Sequence, residues 1–285
     1  MTQAISTSKA AEPMELRWDP DSIPPFPSIA LKALKLMAGT DTSLLELCDL
    51  IRSDVAFSVA VLRIANSPLV AFPKNVTSVL QASMVLGFRR LRSTVITIGL
   101  RSYLKNSCTP LMNSCWRHSL ACALIAERSA KWSFLDADFA YTAGILHDIG
   151  RVALATIMPG SYAQVVEHGG EQPQDLLQSE RELCGIDHCQ AGHSLVTAWN
   201  LPEAFLEITA CHHNLEAHPR GAASLIPSSC ELADALGFAV IRCRFSRSYG
   251  EILMGFPDSS ETRFTPSAQE LAAEIAAEIK LIELA

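Results

Sequence analysis

The amino-acid sequence predicts an all-α protein built as two helical lobes, an N-terminal bundle and a larger second lobe. Three observations carry this. Apolar residues recur at intervals of three and four along most of the chain. Ser, Thr or Asp stands before several of these stretches, and Gly or Pro closes them. No stretch shows sustained two-residue alternation with hairpin turn signals, so strands have no support.

Taken in order, residues 1–20 read as a flexible tail, and Ile23-Pro-Pro-Phe-Pro27 as an extended entry, because a residue before proline is pushed out of the helical region. Ile29, Leu31, Leu34, Leu36 and Met37 form a helical stripe that ends at Gly39. Thr42 or Ser43 caps the next helix, with Leu44, Leu47, Leu50 and Ile51 on one face. Asp54 caps a third, with a stripe of Val55, Val59, Leu62 and Ile64, and Asn66-Ser67-Pro68 stops it. Ser78 opens a helix that reaches Gly87, and a longer apolar one covers residues 88–105. A seam near residues 106–112 separates a first lobe, 21–105, from a second, 106–285. In the second lobe helices are expected over 116–132, 137–147, 173–183, 188–199 and 202–213, punctuated by Gly150, Pro159, Gly169-Gly170, Gly185 and Pro202. Residues 267–284 carry Leu271, Ile275, Ile279 and Ile282 on one face, a helix that docks on the body or on a partner.

Composition excludes several classes. With 285 residues, 49% hydrophobic and 19% charged, the chain is too apolar to be disordered. A net charge of −7 argues against a general nucleic-acid coat, which needs basic surface to release counterions from phosphates. Residues 44–67 resemble a helix-turn-helix in outline, yet 55–65 offer Val, Ala, Phe and Leu rather than base-reading side chains. Arg89, Arg90 and Arg92 read as a solvated helix start, and DNA is not an expected partner. The longest apolar runs, such as 93–100, fall short of the ~20 residues of a membrane span. Residues 1–19 lack the apolar core of a secretory signal. The nine cysteines are odd in number and hold no C-x-x-C pair. Cys108, Cys115 and Cys122 recur every seven residues, as on one helix stripe, so the cysteines read as buried packing thiols and the compartment as the cytoplasm.

The polar residues on these apolar helices carry the chemistry. His147-Asp148 lies in Gly144-Ile-Leu-His-Asp-Ile-Gly150 at a helix end, and His118 lies mid-helix. His188 starts a helix, His212-His213 ends one, and Asp234 sits in Glu231-Leu-Ala-Asp-Ala235. Imidazole and carboxylate together suit iron, manganese or zinc rather than a thiolate site, with one or two ions. An adjacent His-Asp pair can put a nitrogen and an oxygen on one metal, and the carboxylate can reach a second. His168, His193 and His218 have no assigned role.

The order His, His-Asp, His, His-His, Asp resembles the HD superfamily of metal-dependent phosphohydrolases. More of the chain resembles the HDOD family: Pro25-Phe-Pro-Ser-Ile-Ala-Leu-Lys-Ala-Leu34, Leu47-Cys-Asp-Leu-Ile-Arg-Ser-Asp54, Val61-Leu-Arg-Ile-Ala-Asn-Ser67, Val85-Leu-Gly87, Ala143-Gly-Ile-Leu-His-Asp-Ile-Gly150 and Trp199-Asn-Leu-Pro202 with His212-His213. The resemblance makes the second lobe HD-like, similar in fold to the HD-GYP cyclic-di-GMP phosphodiesterases. It also implies a regulatory output module of bacterial signalling. By the same resemblance His118, His147, Asp148, His188 (with Gly192), His212, His213 and Asp234 occupy metal-ligand positions. Departures surround them. Arg151 stands where the H-D-x-G-K pattern has lysine, Asn214-Leu215-Glu216 follows the tandem histidines in place of a Gly-Tyr-Pro loop, and Ser114 stands one turn before His118. Arginine cannot donate a proton near neutral pH but can hold a phosphate.

Two functions follow. One is a signalling module that contacts unidentified protein partners through its helical surfaces and C-terminal helix. The other is a metal-dependent hydrolase of a nucleotide or phosphoester, in which Asp148 bridges the ions and Arg151 steadies the phosphate. A metal-bound sensor without turnover would need the same ligands.

Overall fold

A computed structural model describes residues 18–19, 25, 27–38, 43–68, 70, 72–73, 75–105, 109–169, 173–213, 221–241, 247–257, 264 and 267–284. Residues 1–17 and 20 of the tail, residues 23, 24 and 26 of the entry, Thr42, residues 106–108 of the seam, residues 214–216 and His218 lie outside them. Helices α1 (Ser28–Ala38), α2 (Leu44–Arg52) and α3 (Val55–Ala65) open the first lobe. Ser43 makes the cap on α2: its hydroxyl accepts from the Glu46 N–H at 3.2 Å, and Glu46 accepts from the Ser43 N–H at 2.9 Å. Asp54 caps α3 by accepting from the N–H groups of Ala56 and Phe57. The buried face of α3 is Phe57, Val61, Ile64 and Ala65, while Val55 and Val59 are exposed. The expected stripe is thus rotated, because a helix apolar on most of its circumference offers two faces of equal period. At its end the Asn66 amide donates to the carbonyls of Leu62 and Val76 and accepts from the Val76 N–H, each at 2.8 Å. That pins the following loop.

All three helices pack on α4 (Val79–Lys105), which breaks at Gly87, φ 73° and ψ 164°. Only glycine adopts such a backbone without strain, so the two helices expected on either side of it are present. Arg89 and Arg90 are exposed, but Arg92 is not part of a solvated helix start: it pairs with buried Asp138 on α6 (Ala137–Leu146). Beside that pair the Thr97 hydroxyl meets Tyr141 Oη at 3.0 Å.

Helix α5 (Pro110–Trp132) starts earlier than expected. The Thr109 hydroxyl accepts from the Met112 N–H at 3.2 Å, and Pro110 sits in the first turn, where its missing N–H costs nothing. This helix is buried over most of its length beneath α6, α12 (Ile226–Ala233) and the C-terminal α14 (Ala268–Leu284). Helices α7 (Ile149–Ile157) and α8 (Pro159–His168) stand where the sequence showed only Gly150 and Pro159 as punctuation. Both residues lie in the first turns of helices, a place that tolerates them. Then come α9 (Pro173–Cys184), α10 (His188–Ala198), α11 (Ala204–Cys211), a 3-10 turn (Gly221–Leu225), α12, a π turn (Asp234–Phe238) and α13 (Tyr249–Leu253). The described residues contain no strand.

Helix α14 docks on the body with Leu271, Ile275 and Ile279 buried. Arg128 of α5 pairs with Glu274 at 2.9 Å and Glu278 at 2.5 Å. Arg101 of α4 donates to the terminal carbonyls of Ile282, at 3.2 Å, and Glu283, at 2.5 Å. The last helix therefore ties both lobes together. Among the described residues no helix is long and apolar enough to cross a membrane.

Candidate metal centre

The site is made by helices that cross without room for a side chain. A Cβ on Gly150 would stand 1.9 Å from the His188 carbonyl oxygen and 2.6 Å from the Gly192 nitrogen, so α7 and α10 touch backbone to backbone. A Cβ on Gly144 would stand 2.5 Å from Ala123 Cα, which brings α6 equally close to α5. These contacts bring the His147-Asp148 turn, His118 of α5 and His188 at the head of α10 to one point. His188 is placed there by its cap: Asp187 accepts from the Gln190 N–H at 2.8 Å.

Each imidazole is oriented by an acceptor at its outer nitrogen. His147 Nδ1 donates to the Gly144 carbonyl at 2.8 Å, and His212 Nδ1 lies 3.2 Å from the carbonyls of Ile208 and Thr209. His188 Nδ1 donates to Glu180 at 2.6 Å, and His118 Nδ1 lies 3.1 Å from Asp234 Oδ1. The inner nitrogens then converge, His118 Nε2 to His147 Nε2 at 3.3 Å and His188 Nε2 to His212 Nε2 at 3.3 Å. Two ring lone pairs at that distance require a shared proton or a metal ion between them.

Asp148 lies among these four rings, 3% exposed. Its Oδ1 is 3.3 Å from His188 Nε2 and 3.5 Å from His212 Nε2, and its Oδ2 is 3.8 Å from His118 Nε2. Arg151 Nε meets Oδ2 at 2.6 Å as an ion pair, yet neither carboxylate oxygen has a hydrogen bond of good geometry. A buried carboxylate with such oxygens is costly unless a cation serves it. Burial alone would raise Asp148, but the Arg151 guanidinium and the surrounding His188, His212 and His147 together outweigh it and hold the carboxyl well below the usual range. Burial pushes His147, His212 and His213 down, so they are neutral and ready to ligate. Burial also works to lower His118 and His188. At His118 Asp234 and Asp148 together outweigh it, and at His188 Glu180, with Cys189 and Asp148, overcomes both burial and the Arg151 charge and lifts the ring to about 10.

All the expected site residues therefore meet, though not in equal roles. Asp148, His188, His212 and His213 offer donor atoms within 4.8 Å of one another, and so do His118, His147 and Cys230. Asp234, at the head of the π turn, faces the outer nitrogen of His118 rather than the convergent inner ones. His213 Nε2 lies 3.3 Å from Arg151 Nη2. His168 bonds the Gln164 carbonyl, and His168 and His193 are exposed away from the centre.

Two participants escaped the sequence reading. Cys230 is not only a packing thiol: its Sγ lies 3.6 Å from His118 Nε2. Its spacing of one helical turn before Asp234 is the signal that could have found it. Glu180 is fully buried, accepts from both the backbone N–H and Nδ1 of His188, and receives the Tyr162 hydroxyl at 3.2 Å. It comes from α9, and no sequence spacing links it to the motif. A small space at the edge of the centre, lined by His118, Arg151, Leu176, His213, Asp234, Val240 and Ile241, has a volume of about 10 Å³.

The model of the HDOD domain matches residues 23–215. A solved HDOD domain protein of unknown function from Geobacter sulfurreducens is 28% identical, with a TM-score of 0.72 over 92% of this chain and 91% of that one. A Marinobacter aquaeolei VT8 protein, provisionally named a signal transduction protein, is 22% identical with a TM-score of 0.71 over 92% of this chain and 60% of that one. An uncharacterized protein of Treponema pallidum is 25% identical over 263 residues, 90% of this chain. The chain spans about half, 50%, of that relative's length. With a domain match over most of its length and a helical fold shared with a solved member, the chain belongs to the HDOD domain family.

Proposed function

We propose that this HDOD chain is a bacterial, cytoplasmic signal-transduction module that acts through contact with another protein. Its His/Asp centre holds a transition metal without turning over a phosphoester. The observation that carries this reading is the closure of the centre. The space beside it that His118, Arg151, His213 and Asp234 line is about the room of one water molecule, ~10 Å³, and the Arg151 guanidinium already lies against Asp148 and His213, which leaves a phosphate group little access to the ligands. The name given to the Marinobacter neighbour agrees with a signalling role.

The residues fit a metal. Asp148, His188, His212 and His213 would offer one set of donors and His118, His147 and Cys230 another, with Asp234 behind His118. A divalent ion there would act as a Lewis acid toward oxygen ligands. Iron, manganese and zinc all suit imidazole and carboxylate donors.

The assay is hydrolysis by purified, metal-loaded protein of cyclic dinucleotides, nucleotides and simple phosphoesters. The expected rate equals that of a His147→Ala, Asp148→Ala double variant. Sustained turnover that disappears in that variant would overturn the proposal. It would establish the hydrolase reading, which the complete His/Asp set favours.

A further inference from the structure

We propose that the cavity between α4, α5, α6 and α14 is a binding site for a small organic anion with an apolar body. It stands apart from the His/Asp centre, none of whose residues line it.

The cavity measures about 750 Å³ and sits where the two lobes meet. Small-molecule sites are of this size, mostly apolar, with a few polar groups converging on the ligand. The walls have that composition. Ile64 of α3, Leu86 and Phe88 of α4, Leu124 of α5 and Ile282 of α14 supply apolar surface. Thr94, Thr97 and Tyr141 bring hydroxyls to the same space. Two of these satisfy each other, Thr97 and Tyr141 at 3.0 Å, and Thr97 also donates one turn back to the Ser93 carbonyl at 2.8 Å. Thr94 is different. Its side chain lines the cavity and the residue is only 7% exposed, yet its hydroxyl has no hydrogen-bond partner among the described residues. A buried hydroxyl is costly to leave unpaired, and a ligand atom in the cavity would serve it.

Charge selects the kind of ligand. The three carboxylates of the lining are already matched: Glu127 by Lys131 at 2.7 Å, Glu278 by Arg128 at 2.5 Å, and Asp138 by Arg92. Two guanidiniums at the lip are not committed in this way. Arg90 has no ion-pair partner among the described residues, and Arg89 reaches only the exposed Asp136, at 3.7 Å. The break at Gly87 places them, because the helix restarts at Phe88 and its first turn brings both arginines to the cavity. A positive lip thus faces an apolar floor, on a chain whose net charge is −7. Guanidinium groups take carboxylate or phosphate through paired hydrogen bonds. An organic cation would meet like charge here, and a neutral molecule would leave both arginines unused. A phosphate or carboxylate carried on an apolar body satisfies lip and floor together.

The test uses anilinonaphthalenesulfonate, an organic anion whose fluorescence rises in apolar surroundings, titrated into the folded full chain. One site per chain is expected. The Arg89→Gln, Arg90→Gln double variant should bind the dye about tenfold less tightly, as for one lost charge-assisted hydrogen bond. Phenylnaphthylamine, which lacks the charge, should bind both proteins alike. Thr94→Phe, which fills the cavity, should exclude both dyes; should that variant fail to fold, Ile282→Trp fills it from α14. Adenosine monophosphate and decanoate then compete with the charged dye. Displacement by the first assigns an organic phosphate, and displacement by the second an organic carboxylate. The proposal is overturned by any of four results: no dye site in wild type, undiminished binding in the double-arginine variant, binding that survives filling of the cavity, or displacement by neither anion. None of these touches the metal reading, which metal content tests separately.

Discussion

At the scale of single residues, the histidines are set by what stands behind them. Asp234 fixes His118, Glu180 fixes His188, and backbone carbonyls fix His147 and His212. Outer partners of this kind usually change metal affinity by about 10–100-fold. Asp234→Asn is therefore expected to weaken metal binding by roughly that factor, read by competition with a chromogenic chelator, while its circular dichroism stays that of wild type. The ligand-type residues were legible because His and Asp are conspicuous on apolar helices and their order is that of a known superfamily. Glu180 and Cys230 were not legible in the same way. A buried glutamate looks like any solvated one along a charged helix such as α9, and Cys230 looks like the other cysteines until its neighbour His118, from a helix far away in sequence, is in place.

At the scale of elements, two glycines do work that no other residue can. Gly150 lets α7 meet α10, and an added Cβ would overlap the His188 carbonyl. Gly150→Ala is expected to cost about 3 kcal/mol of stability in denaturant unfolding, near the upper end of overpacking penalties, and to disturb metal binding with it. Gly87 has open space around its Cα but a positive φ. Gly87→Ala should cost about 2 kcal/mol through backbone strain alone and leave metal affinity unchanged. Most helices were legible from periodicity and caps, as Ser43 and Asp54 show. The misreadings have local causes. Gly150 and Pro159 stand as punctuation in the sequence although each opens a helix, and the apolar circumference of α3 points to a stripe through Val59 where the buried face runs through Val61.

At the scale of the whole molecule, the helices of the first lobe are joined to the site-bearing helices by a few buried polar contacts and by α14. The Arg92–Asp138 ion pair between α4 and α6 is largely enclosed, with side chains 12% and 4% exposed. Arg92→Ala would leave Asp138 buried without its cation, and unfolding should become easier by about 3 kcal/mol, as for other broken buried pairs. This contact was not legible, because three arginines at a helix start look alike until the fold shows which one turns inward. The low charge of the sequence has a matching physical meaning: its few buried polar groups gather at the His/Asp centre and along the α4–α6 seam. Metal content of the wild-type chain, purified without chelator, tests the account most directly. Bound iron, manganese or zinc that is lost in the His147→Ala, Asp148→Ala double variant is the predicted result. A folded wild-type protein that arrives metal-free and takes up none of the three when offered would contradict it.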